Sequence, residues 1–234
     1  MRFLLIQFLF INSVCFSQTP ERFYENSKCG YLATDKLLLP PVYDAGSDFK
    51  GGLAIVMKEN KRAYINEKGE FITPFEFDDA GDLSNGLCRV MKNGKYGYIN
   101  KYGNIVIDFI YEFADDFNDS LARISINYQF GFINTKGETI IPIQYKNANN
   151  FNEGLAAIYN GTNWGFINIK AQTVIQFQFD RAYIFKNGKC AVQLGEKKYF
   201  IDRNGKFVKE QYIAKDEVEN RKPNLQIIEA NEKK

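Results

Sequence analysis

Histidine is absent from the 234 residues. That excludes every mechanism in which imidazole is base, proton shuttle or metal ligand, and it removes the commonest catalytic side chain. Cysteine is scarce: of 4 in the chain, Cys15 falls in the N-terminal leader, so Cys29, Cys88 and Cys190 remain. An odd number cannot close a disulfide framework, and no Cys-x-x-Cys occurs. Cys88 and Cys190 both fill the slot held by Ala54, Ala122 and Ala156, which reads as a small buried apolar position. No charge of one sign is in excess: Lys plus Arg is 30, Asp plus Glu is 28, and the net charge is +2. Nothing there points to nucleic acid or to a strongly basic partner. Phosphate loops, dinucleotide fingerprints and the Gly-x-Ser-x-Gly nucleophile elbow are missing as well.

Long apolar runs are confined to the start. Arg2 precedes the short stretch Phe3–Ile11, and Cys15-Phe16-Ser17 supplies small residues at −3 and −1. This is the pattern of a cleaved signal peptide over residues 1–17, with cleavage before Gln18. The stretch is too short for a membrane span, so no stable span is expected after cleavage. Val14 before Cys15 does not fit a lipoprotein signal. Residues 18–29 read as an N-terminal linker, 30–210 as the folded domain and 211–234 as a polar C-terminal tail.

What is abundant is periodicity. The isoleucine of an aromatic-Ile-Asn/Asp triplet recurs at Ile65, Ile99, Ile133, Ile167 and Ile201, in steps of 34 residues without insertion. An aromatic keeps the same step at Tyr43, Phe77, Tyr111, Tyr145 and Phe179. A fixed period of this size means a repeat architecture in which each unit covers the apolar face of its neighbour.

Within a unit, Gly86-Leu87-Cys88-Arg89-Val90-Met91-Lys92 alternates as a strand does. Asn93-Gly94, matched by Asn160-Gly161, predicts a tight hairpin. The second strand is Lys95–Asn100. A second turn follows, opened by Asn66, Asn100, Asn134 or Asp202 and closed by Gly69, Gly103, Gly137 or Gly205. Its chemistry alone requires those residues, so they are turn formers before they are ligands. Ala171 stands in the glycine slot of the fourth copy, where a strained or altered turn is expected. A third strand ends at Pro74 or Pro142. A short link then carries an aromatic pair such as Tyr111 and Phe117 around a small residue: Gly46, Ala80, Ala114, Ala148 or Ala182. Turn glycines break the unit too often for paired helices, so a tetratricopeptide arrangement is excluded.

The chain is therefore expected to be all-β, with tandem 34-residue repeats of three-stranded antiparallel meanders stacked in a curved open array. A closed propeller-like ring is the alternative.

Aromatic-Gly followed by aromatic-Ile-Asn, then Gly, then apolar-apolar-Pro, resembles the bacterial WG-repeat family. Trp164-Gly165 is the name-giving pair; Tyr96-Gly97 and Phe130-Gly131 are variants of it. Arg62-Ala63 and Lys198-Tyr199 depart from it and are read as degenerate end copies. The resemblance implies a β-rich scaffold or interaction module and brings no reaction, cofactor or catalytic residue.

Carboxylates cluster at the unit ends, as in Asp78-Asp79 with Asp82 and Asp115-Asp116 with Asp119. They lack the spaced ligands and loop glycine of a calcium loop, so turn capping is the reading and no metal site is assigned. One position recurs as Asp48, Asp82, Asp116 and Asn150, a candidate binding row along the array. Trp164 could stack on a sugar, but its place in the repeat favours packing. The expected function is a non-enzymatic binding or scaffold module of the bacterial cell envelope or exterior. It would be secreted or periplasmic, take no cofactor, and recognise a protein or cell-surface glycan. A carboxylate-dependent envelope polysaccharide hydrolase and a purely structural envelope protein are the alternatives.

Overall fold

A computed structural model describes residues 19–34 and 36–208. The expected signal peptide and the whole of the expected tail lie outside these residues. Among the described residues there is no helix, and the strands form six small antiparallel sheets in chain order. The first is β1 (Glu21–Glu25), β2 (Lys28–Ala33) and β3 (Lys36–Tyr43). The second is β4 (Ala45–Gly46), β5 (Leu53–Lys58) and β6 (Lys61–Asn66). The third is β7 (Asp79–Ser84), β8 (Leu87–Lys92), β9 (Lys95–Asn100) and β10 (Ile105–Tyr111). The fourth is β11 (Phe113–Ala114), β12 (Leu121–Ile126), β13 (Gln129–Asn134) and β14 (Thr139–Tyr145). The fifth is β15 (Asn147–Ala148), β16 (Leu155–Tyr159), β17 (Trp164–Asn168) and β18 (Thr173–Phe179). The sixth is β19 (Arg181–Ala182), β20 (Lys189–Leu194) and β21 (Lys197–Asp202).

Two expectations are refined. The link between units contributes a short strand of its own, so a complete sheet has four strands in meander order, like a propeller blade. The segment read as a linker carries β1, whose Arg22 pairs with Asp48 in the second sheet.

Strand alternation explains the repeat. In a strand, successive side chains point to opposite faces. Each aromatic-Ile pair therefore sends the aromatic to the following sheet and the isoleucine to the preceding one. Tyr98 packs with Ala114, Phe117 and Ile124 of the fourth sheet, while Ile99 packs with Leu53, Tyr64 and Phe77 of the second. The same division holds for Phe132 and Ile133, and for Phe166 and Ile167. The link aromatic of the next sheet meets the outgoing ring at 4.8 Å for Tyr98 and Phe117, 4.7 Å for Phe132 and Phe151, and 5.1 Å for Phe166 and Phe185. Five clusters of this kind join the six sheets in succession, and none joins the sixth to the first. Among the described residues the array is open.

Where the following ring is a tyrosine, its hydroxyl is also used. Tyr31, Tyr64 and Tyr98 donate to the carbonyls of Ser47, Gly81 and Asp115 at 2.8, 2.6 and 2.7 Å, one repeat position in each next sheet. A buried hydroxyl needs such a partner.

The glycine of the aromatic-Gly pair is explained by close approach. A Cβ on Gly97, Gly131 or Gly165 would lie 2.6, 2.7 or 2.8 Å from the carbonyl oxygen of Ile107, Ile141 or Ile175 on the outer strand. In the second sheet that position is Ala63. There the outer strand keeps only isolated bridges at Ile65–Phe71 and Arg62–Phe77, and the Thr73 hydroxyl accepts from the Tyr64 amide instead. The degenerate pair thus has a structural correlate.

The turns behave largely as expected. Asn93-Gly94 is a two-residue hairpin with both φ positive (53° and 74°), the I′ geometry. Ala171 keeps the standard turn, at φ 60°, with its amide 3.0 Å from the Asn168 carbonyl, so the strain is borne rather than avoided. Asn160-Gly161 differs. The register places it one residue early, and the hairpin widens to Asn160–Asn163, with the Asn160 side chain accepting from the amides of Thr162 and Asn163. Cys88 and Cys190 are free and buried, as their alanine-like slot implies, and Cys29, at a different repeat position, is free and buried as well.

Candidate functional site

The short first strands β4, β7, β11, β15 and β19 form one edge of the stack. The candidate row lies on this edge: Asp82 within β7, and Asp48, Asp116 and Asn150 two residues beyond the ends of β4, β11 and β15. Asp48 pairs with Arg22 at 2.9 Å, Asp82 with Lys50 at 2.5 Å, and Asp116 with Arg89 at 3.2 Å. In each pair the base belongs to the preceding sheet, so the row is a ladder of ion pairs stitching sheet to sheet. It is continuous: Lys50 is raised above its ordinary value first by Asp82 and then by the fields of Asp48 and Asp116. Burial pushes Asp116 upward against the pull of Arg89. The ladder ends at Asn150, whose buried Oδ1 has no hydrogen-bond partner among the described residues. The structure thus brings the four positions into one row and spends three of them on neighbours.

The sequence did not single out the arginines beside this row, which plug the gaps between sheets. Arg89 reaches Asp79 at 2.8 Å and lies over the ring of Tyr96, 5.0 Å from its centroid. Arg123 reaches Asp115 at 2.8 Å, lies 4.9 and 5.5 Å from the ring centroids of Phe113 and Phe130, and donates to the Ala148 carbonyl of the next sheet. A guanidinium bonded by a carboxylate and stacked on rings satisfies both its charge and its plane. A signal was present, since Arg89 and Arg123 are one period apart.

One period further the plug is missing, because Ala157 stands at the arginine position. A cavity of about 440 Å3 opens there between the fifth and sixth sheets. Its walls include Trp164, Tyr159, Asn147, Asn149, Arg181 and Tyr183. Trp164 is half-buried and packs partly on the core of the fifth and sixth sheets, which fits the packing role, yet it also faces this cavity. The Tyr159 and Trp164 rings lie 5.5 Å apart and tilted by 36°. The Asn149 amide donates to the Ala182 carbonyl at 3.0 Å, taking over the bond that Arg123 makes one unit earlier. The widened Asn160–Asn163 hairpin brings Thr162 to the same rim.

Nucleophilic chemistry finds little here. Burial pushes the Cys88 and Cys190 thiols up to about 12 and raises Cys29 as well, so none is a thiolate near neutrality. Among the described residues no three His, Cys, Asp or Glu side chains gather to hold a metal ion, and no helix is long and apolar enough to cross a membrane.

The fold and this row define a class first: a β-repeat array of blade-like sheets with one recurring edge. Within that class the chain belongs to the WG containing repeat family, whose pattern matches five times, at residues 34–61, 63–96, 96–129, 130–161 and 164–197. No curated protein sequence matches the chain. Among solved structures it is similar to a eukaryotic initiation factor, at 14% identity and a TM-score of 0.52, covering 80% of this chain and 61% of that one. Hsv2 of Kluyveromyces lactis aligns at 12% identity and a TM-score of 0.47, covering 80% and 72%. A protein of unknown function from Bacteroides caccae aligns at 12% identity and a TM-score of 0.31, covering 77% and 88%. At these identities the likeness to the initiation factor speaks to fold alone.

Proposed function

We propose that the chain is a non-enzymatic binding or scaffold module of the bacterial cell envelope or exterior, which recognises a protein or glycan through an extended repeat surface. The observation that carries this reading is how the sheets are used. Each internal sheet spends both faces on its neighbours, so edges and loops remain for a partner, and these recur in register along the stack. The ion-pair ladder of Asp48, Asp82 and Asp116 runs along one such edge. The burial of the thiols and the pairing of these acids support a structural use of the groups that catalysis would otherwise recruit. Export to the envelope or exterior rests on the leader at 1–17.

The test is retention of a partner. The mature chain is immobilised and exposed to envelope extract, beside a variant carrying Asp48→Asn, Asp82→Asn and Asp116→Asn whose circular dichroism is unchanged. Selective retention by the unmodified chain, weakened in the variant, supports the reading. If the unmodified chain retains nothing beyond a blank resin, the reading fails. Mass analysis of the envelope and culture fractions tests export; a chain that keeps its leader in the cytoplasm contradicts it.

A further inference from the structure

We propose that the cavity beside Trp164 is a subsite for a neutral sugar ring, so that the ligand of this stretch of the array is an uncharged glycan. The proposal deepens the binding-module reading and rests on it. It comes from comparing one location in two successive units. The guanidinium of Arg123 is enclosed by Phe113, Phe130, Asp115 and the Ala148 carbonyl. One period on, those four positions are Asn147, Trp164, Asn149 and Ala182, and all four line the cavity. The empty space is therefore the place where the preceding unit keeps its plug.

The substitutions change that place in a concerted way. The cation is lost to Ala157, the carboxylate becomes the neutral amide of Asn149, a ring becomes the amide of Asn147, and the remaining ring grows from Phe130 to Trp164. A site that had merely lost its arginine would keep the acid and attract a cation. This one has lost both charges of the pair. The carboxylate nearby, Asp180, already accepts from the Gly195 amide at 2.5 Å, and Arg181 on the same wall repels a cation. A guanidinium from a peptide is thus a poor replacement.

What remains is an apolar wall meeting a polar rim. A pyranose ring has an apolar C–H face that lies against an indole, and an edge of hydroxyls that both donate and accept. The Trp164 and Tyr159 rings supply the wall. The Asn147 side-chain NH2 and the Arg181 guanidinium have no hydrogen-bond or ion-pair partner among the described residues, and they supply donors on the rim. The volume of about 440 Å3 falls within the range of small-molecule sites, roughly 300–1,000 Å3.

The chain has a single tryptophan, so its emission reports on this cavity alone. The full mature chain is titrated with neutral hexasaccharides: β-1,4-linked glucose, β-1,4-linked N-acetylglucosamine, β-1,4-linked xylose and α-1,4-linked glucose. An acidic hexasaccharide and an arginine-containing hexapeptide form two further arms. Expected is a saturable emission shift with at least one neutral sugar. The double variant Ala157→Arg with Asn149→Asp rebuilds the plug of the preceding unit. It should weaken that sugar about tenfold or more without lowering the melting temperature. Should the plugged variant not fold, the pair Asn147→Ala with Arg181→Ala, at the rim, is read by calorimetry for the same weakening. The proposal is overturned if no neutral sugar shifts the emission, if the plugged variant binds undiminished, or if the peptide or the acidic sugar binds more tightly than every neutral one. If sugars fail while the extract partner is held equally by the plugged and unmodified chains, this subsite falls and the binding-module reading stands.

Discussion

Phe166 and Phe200 occupy the same repeat position in the fifth and sixth sheets, and their truncation should cost very different amounts. Phe166 is fully buried, with its ring 5.1 Å from Phe185 and 6.4 Å from Phe179. Phe→Ala in such a setting loses transfer energy and leaves a cavity, about 3–5 kcal/mol together. Phe200 points to the side where a seventh sheet would stand and is only half-buried. Roughly half its transfer term is absent and little cavity can form, so the loss should stay below about 2 kcal/mol. The other end mirrors this. Ile65 is buried against the first sheet, whereas Leu32, which takes that place in the first sheet, is 36% exposed. Ile65→Ala should cost about 2–5 kcal/mol and Leu32→Ala well under that. Urea unfolding of the four variants, followed by far-ultraviolet circular dichroism, gives the comparison, and an unchanged denaturant slope shows that stability alone has moved. Equal losses at Phe166 and Phe200, or at Ile65 and Leu32, would refute the open stack, because the end faces would then be covered.

Gly131→Ala should destabilise by about 1–3 kcal/mol, since its Cβ meets the Ile141 carbonyl oxygen at 2.7 Å, and a melting temperature equal to the parent's would remove the close-approach account of the aromatic-Gly pair. Ala171→Gly should stabilise by about 1 kcal/mol by relieving a left-handed φ of 60°, read as a rise in melting temperature. Thiol-trapping reagents at pH 8 should leave the folded chain unlabelled at Cys29, Cys88 and Cys190 and label all three in urea; labelling of the native protein would contradict their burial. Hydrogen bonds from Lys28 and Lys61 hold Asp44 and Asp78 below the ordinary carboxylate value of 3.8. Their contribution is present above that value and lost as pH falls through the folded values, so Asp44→Asn with Asp78→Asn should flatten the acid fall of the urea midpoint. Asp116, raised by burial, has the opposite sign, and Asp116→Asn should steepen that fall.

The stack was legible in the sequence because its determinants are local and periodic. Alternation sends Tyr98 and Ile99 to opposite faces, and the turn residues Asn93-Gly94 and Asn100 fix where the strands end. The short edge strands were not legible as strands: Ala114 keeps the 34-residue step, but two residues such as Phe113-Ala114 are too few to show alternation. The displaced hairpin at Asn160 was misplaced because Asn-Gly is read locally, while the register is set by Ile158 opposite Gly165 across the sheet. The Asp row was found as a recurrence, but its partners were not. Arg22, Lys50 and Arg89 occupy different repeat positions and meet the acids only through stacking. The cavity was hidden for a related reason: the missing plug shows only when Ala157 is laid over Arg123 of the preceding unit.

The plug and the cavity are alternative contents of one socket that recurs along the stack. Arg–Asp in one unit and Ala–Asn in the next change the filling of the socket and leave intact the columns that hold adjoining blades together. The stack is modular in this sense: the content of a socket differs from one blade to the next while the aromatic and isoleucine columns on either side of it keep their places.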